Sequence, residues 1–252
     1  MPRRYVKAFT LLELLVVVGV LGTLFTLAVP ALWSARQQGK RVACQSNQRQ
    51  IALAMQSYAM DFEDRFPIAQ YFDQRERAFV AWDTITRVQR PHASEPGLIW
   101  HYVEGAGIQQ CPSFDGAGNT SGDEYSGYNY NTTYIGRGEN EGTHLRLGTA
   151  PACVSEVRFA ATAALVGDGG WSSGANKFMR APWDSGTAES TVHAGAQAFR
   201  HADSTNVTFV DGHGSPTKKR SKKLQAQPIN ERLLGWPRNG FLSLDDRAYA
   251  HR

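Results

Sequence analysis

The feature that most constrains this chain is the stretch Phe9 to Leu32, FTLLELLVVVGVLGTLFTLAVPAL, 24 residues with a single charge, Glu13, behind the basic leader MPRRYVKA. At roughly 1.5 Å per residue a helix of this length spans about 36 Å, enough to cross the hydrocarbon core of a bilayer. The pattern predicts a membrane helix. A secretory signal has an apolar region of about 7 to 15 residues followed by an A-x-A-like cleavage site. This run is longer, and no A-x-A separates it from the polar segment that follows. Glu13 does not fit a plain anchor, because an ionisable group within an apolar span costs on the order of 2.5–3.5 kcal/mol near the bilayer centre and less towards its edge. It calls for a cationic partner.

Lys7-Ala8-Phe9-Thr10-Leu11-Leu12-Glu13, a basic leader entering an apolar helix with Glu at its fifth position and Pro30 at its twenty-second, resembles the N-terminus of type IV prepilins and type II secretion pseudopilins. The resemblance implies cleavage between Ala8 and Phe9 by a prepilin peptidase, N-methylation of Phe9, and pairing of Glu13 with the new amine, its own or a neighbour's, as subunits stack. The family usually has Gly before the cut. Ala8 is the next smallest side chain, so slower processing is expected.

Lys and Arg beside the first span favour the cytoplasmic side. Arg3, Arg4 and Lys7 therefore predict a single-pass inner-membrane protein with its N-terminus cytoplasmic and everything after Leu32 periplasmic. The formal net charge is +4, but the leader carries three positive charges and Lys218 to Lys223 (KKRSKK) five, leaving the rest at −4. The basic balance belongs to two short segments, which argues against a nucleic-acid-binding face. Cys44, Cys111 and Cys153 would meet an oxidising compartment, and an odd number cannot all pair within one chain. Either Cys111 bridges Cys153, with Cys44 left on the long helix, or all three stay as buried thiols.

Pattern and resemblance together imply four segments: a leader (1–8), a transmembrane helix (9–32), an amphipathic continuation (33–66) and a periplasmic head (67–252). Pro30 predicts a kink or local loss of helix. Cys44, Ile51, Met55, Tyr58 and Phe62 form one stripe at helical period, a face that packs on a sheet. Arg41 to Asn47 and Cys111-Pro112-Ser113 extend the resemblance to a large prepilin-like subfamily. The resemblance implies an α+β class, a long helix packed on an antiparallel sheet. Trp171 and Trp183 fall in a loop after Arg158 to Val166, which reads as a buried strand entering a tight turn at Gly167-Asp168-Gly169-Gly170. Tyr125, Tyr128, Tyr130 and Tyr134 fall in a stretch rich in Gly, Asn and Thr, which reads as loops and short strands.

RHADSTNVTFVDGHG places His201 nine residues before Asp211-Gly212, an H-x9-DG pattern that resembles the subfamily's C-terminal signature. Asn206 to Val210 alternates as a strand and Asp211-Gly212 supplies a hairpin turn. The signature reads as architectural, an Asp-held turn and a His bonded to an adjacent loop, with a calcium site built on Asp168 and Asp211 as the functional alternative. No C-x2-C pair occurs, and His193, His201 and His213 lack the spacing of zinc ligands on a helix, so zinc is not expected. There is no H-E-x-x-H and no Walker-type loop, and no cofactor or catalytic residue is expected. The resemblance implies a filament subunit whose partners are the prepilin peptidase, other subunits and inner-membrane lipid. The competing expectation is a membrane-anchored module that captures a glycan-type ligand with its Tyr and Trp loops.

Overall fold

The computed structural model describes residues 9–88, 94–103, 108–116, 127–138, 150–172, 174–182, 195–222, 231–232 and 234–251. The leader with Ala8, and Tyr125, Trp183, His193 and Lys223, lie outside the described residues.

A single helix, α1 (Leu11–Asp61), opens the described chain. Thr10 is its N-cap and Glu13 its third residue, and together they close a reciprocal capping box. The Thr10 hydroxyl accepts from the Glu13 amide at 3.2 Å, while Glu13 Oε2 accepts from the Thr10 amide at 2.9 Å and from the Thr10 hydroxyl at 2.8 Å. Two amides that the helix start would leave without partners are thus satisfied. Helix runs through Pro30 without interruption, so the expected local loss does not occur. Proline removes one backbone donor, a small loss within a helix of 51 residues.

By its contacts the chain divides into Met1–Gly39 and Lys40–Arg252. In the first unit, the large apolar side chains from Phe9 to Trp33 are exposed, Leu11 by 82% and Phe25 by 66%. In the second, α1 buries Cys44, Gln48, Ile51, Ala52, Met55, Tyr58 and Ala59. This is the expected stripe with two differences. Gln48, a polar residue, is fully buried within it, and Phe62 lies beyond the helix end, half exposed and stacked on Tyr58 at 4.1 Å between centroids.

The head contains two sheets, and the class is α+β with the helix on a sheet. The first sheet is an antiparallel meander of β1 (Gln70–Asp73), β2 (Ala78–Ala81), β3 (Thr84–Arg87) and β4 (Ser94–Pro96) in sequence order. The second is built on β5 (Tyr128–Asn131), β6 (Ala164–Gly170), β7 (Phe178–Met179), β8 (Ala196–Ala198), β9 (Thr205–Phe209), β10 (Gly214–Thr217) and β11 (Asn239–Gly240). Its path is β10-β9-β6-β5-β7, and β8 joins β6 and β11. All pairings are antiparallel except β5 with β7.

β6 is the centre of this sheet. Its first half pairs with β9, its last two residues pair with β8, and β5 covers its other edge. All seven residues are buried. The strand starts later and ends later than the hydrophobic pattern predicts: Arg158 to Thr162 form turns, and Gly167 to Gly170 are strand rather than turn. The glycines are there because neighbours leave no room for a side chain. A Cβ on Gly167 would overlap the Gln197 carboxamide, and one on Gly169 the Asn176 carbonyl.

Candidate functional site

Four chain segments converge where α1 crosses β6. Cys44 comes from the helix, Cys111 from the loop before β5, Asp168 from the middle of β6 and His201 from the turn before β9, and all four are buried. One ligating atom from each lies within 4.8 Å of every other. The Cys44 thiol donates to Asp168 Oδ1 at 2.9 Å. His201 Nε2 is 3.4 Å from Asp168 Oδ2 and 3.6 Å from Cys111 Sγ.

The carboxylate is held by its surroundings. Gln48 Nε2 donates to Asp168 Oδ1 at 3.1 Å, and the Asn206 amide donates to Oδ2 at 2.7 Å. Gln48 also reaches the Asn206 carbonyl at 3.3 Å, so α1, β6 and β9 meet through one buried amide side chain. Arg200 donates to the carbonyls of Gly127, at 3.2 Å, and Gly169, and its guanidinium stacks on Phe114 at 5.1 Å. His201 Nδ1 has no hydrogen-bond partner among the described residues.

Burial pushes the Asp168 carboxyl up, but the bond from His201 and the charges of Arg200 and His201 outweigh it and hold the pKa below the usual value. For His201, burial opposes the charge, yet Asp168 and Cys111 raise the imidazole to about 9. The neighbouring Cys44, then His201 and Arg200, draw Cys111 down to about 5 against the effect of burial. Cys44 is pushed far up, first by burial, then by Cys111 and Asp168. The cluster is therefore a carboxylate, an imidazole and two thiols, all buried and each shifted by the others.

The three cysteines are free, which corrects the expected Cys111–Cys153 bridge: Cys111 lies with Cys44, while Cys153 bridges to Arg65 through the backbone. The proposed calcium pair is also separated. Asp168 belongs to the buried cluster, whereas Asp211 sits at the exposed β9–β10 turn, accepting from the His213 amide at 3.0 Å and pairing with its Nδ1 at 2.6 Å. Gly212 takes φ +85° there, a conformation in which glycine is unstrained. The two ends of the H-x9-DG signature thus have different surroundings, a buried cluster at His201 and a hairpin turn at Asp211.

Sequence reasoning passed over Gln48 and the convergence on Cys44. Four positions from Cys44 on the same helical face, Gln48 was the available signal, a polar residue within an apolar stripe. It also passed over Gly170-Trp171-Ser172-Ser173-Gly174, which matches G-x-S-x-G. In hydrolases that motif needs a strand-to-helix elbow. Here Trp171 and Gly174 exchange backbone bonds at 3.1 and 3.3 Å in a tight turn directly after β6, which is a different context. Ser172 and Trp171 line an open groove of about 620 Å³ with Phe114, Arg200, Arg220 and Arg238.

Two family models match the chain: the prokaryotic N-terminal methylation motif over residues 3–29, and the family described as a protein of unknown function, DUF1559, over residues 33–156. No curated protein and no solved structure matches it.

Proposed function

Taking as premise that this chain is a prepilin-like protein with a prepilin-type N-terminal motif, we propose that it is a pilin- or pseudopilin-type structural subunit of a filament. A prepilin peptidase removes residues 1–8 and methylates the new N-terminus at Phe9. The apolar helix then waits in the inner membrane with the head on the periplasmic side, and assembly exchanges lipid for the helices of neighbouring subunits. In this reading the chain is a substrate of the peptidase, not a catalyst.

The observation that carries the reading is the match over residues 3–29 joined to a helix whose apolar side chains from Phe9 to Trp33 are exposed. Apolar surface on this scale requires lipid or protein around it. Both Thr10 bonds to Glu13 fall on Oε2, which leaves Oε1 as the oxygen to meet an N-terminal amine. Such a pairing offsets the cost of a carboxylate in lipid and would set the register between subunits.

The deciding experiment is the mass and N-terminal sequence of the full chain from its native membrane. A chain beginning with N-methylated Phe9 supports the reading. A chain that keeps Met1 to Ala8 overturns it, and a membrane-anchored binding module takes its place. That second reading is favoured by the groove between Phe114, Trp171 and the three arginines, whose aromatic and cationic walls suit a glycan-type ligand. It requires a monomer whose melting temperature rises with oligosaccharide, whereas a subunit crosslinks to copies or homologues near Glu13.

A further inference from the structure

We propose that Cys44, Cys111, Asp168 and His201 form a structural site for one divalent zinc ion, which ties α1 to the sheet through the histidine of the H-x9-DG segment. The donor set is two sulfurs, one imidazole nitrogen and one carboxylate oxygen. Zinc takes these donors in tetrahedral sites at about 2.3 Å for sulfur and about 2.0–2.1 Å for nitrogen and oxygen. The edges of such a tetrahedron are then about 3.3 Å between nitrogen and oxygen, about 3.5 Å from either to sulfur, and about 3.8 Å between sulfurs. Observed separations of 3.4 Å for His201 to Asp168 and 3.6 Å for His201 to Cys111 fall on those edges. All the ligating atoms lie within 4.8 Å of one another, and the Cys44 to Asp168 separation, 2.9 Å, is shorter than its edge, so binding opens that pair while the others draw in. Calcium does not suit it, because calcium takes six to eight oxygens.

The cluster also has the surroundings of a metal site. Gln48 and the Asn206 amide orient the carboxylate, as outer partners of metal ligands do. Zinc would hold Cys44 and Cys111 as thiolates, His201 as neutral imidazole and Asp168 as carboxylate, the displaced protons passing to solvent. Two thiolates and a carboxylate around zinc leave one net negative charge, and the Arg200 guanidinium, bonded to Gly169 next to Asp168, lies beside it. A site of this kind contributes binding energy directly to folding, here by joining four segments that the Gln48, Asn206 and His201 contacts to Asp168 already bring together.

The test is elemental analysis of the full chain, purified in detergent without chelator or added metal. About one zinc per chain is expected, retained by Cys153→Ser and lost in Cys111→Ser and in His201→Ala. Should either variant fail to fold, cobalt exchanged into the unaltered chain still decides: thiolate-to-cobalt charge transfer with strong d–d bands supports the site. Weak octahedral cobalt bands would overturn the proposal. So would a chain in which Cys44 and Cys111 are found as a disulfide, or one that keeps both thiols free and takes up no zinc on titration.

Discussion

Cys44 Sγ lies 2.9 Å from Asp168 Oδ1 across 124 positions of sequence. This contact seats the helix on the central strand of the larger sheet, and it places the fully buried Asp168 carboxylate against the helix. Gln48 and Asn206 complete the arrangement, so α1, β6 and β9 share one buried polar junction beside the hydrophobic cluster of the head. Much of the head's stability should depend on it.

Asp168→Ala removes the acceptor for the Cys44 thiol, the Gln48 amide and the Asn206 backbone at once. Breaking a buried charged partnership costs about 3–5 kcal/mol. Chemical denaturation of the full chain in detergent, followed by tryptophan fluorescence, should show a loss of that size. An effect below about 1 kcal/mol would mean that the junction is held by packing alone.

Gly169→Ala tests why β6 carries glycine in its interior. The added methyl would meet the Asn176 carbonyl and the Asn129 side chain, and backbone atoms cannot move aside cheaply. Overpacking of this kind costs about 1–3 kcal/mol. Gly212→Ala meets nothing within 4 Å but sits at φ +85°, so its smaller cost, about 1 kcal/mol, is purely conformational. Thermal melts of the two variants should rank in that order.

Lys177 Nζ lies 3.3 Å from Asp83 Oδ1 with both side chains nearly buried, and it donates to Thr84 at 3.1 Å. Lys177→Met takes this cation from a buried carboxylate and should cost about 3–5 kcal/mol. Adding Asp83→Asn should recover part of the loss, a coupling that a double-mutant cycle measures. Strict additivity would show that the pair does not interact.

Thr10→Val removes the N-cap hydroxyl that accepts from the Glu13 amide. The helix start should weaken by about 1 kcal/mol. The readout is faster amide exchange at Glu13 in detergent, with exchange in the head unchanged. If Glu13 exchanges at the original rate, the capping box does not hold the helix end.

The N-terminal half of α1 was legible because periodicity and run length are local properties. An apolar stretch from Phe9 to Leu32 has few ways to satisfy its backbone other than a helix in lipid or among helices. The stripe from Cys44 to Tyr58 followed from the 3.6-residue period alone, and the hairpin at Asp211-Gly212 from turn chemistry. β6 was misplaced for a physical reason: three glycines in seven residues read as a turn, and only the approach of Gln197 and Asn176 shows that they are spaces left for neighbours.

The site itself depended on the fold. Cys44, Cys111, Asp168 and His201 have no short spacing in common, so neither a disulfide nor a ligand set could be deduced from their order, and of the two readings open for the cysteines the structure has the free thiols. Local sequence determined the elements, since hydrophobic period and turn residues act within a few positions. Which of those elements meet was decided by the strand register of β6 against β5 and β9 and the docking of α1 on them, because contacts over such separations are set by the packing of the whole head.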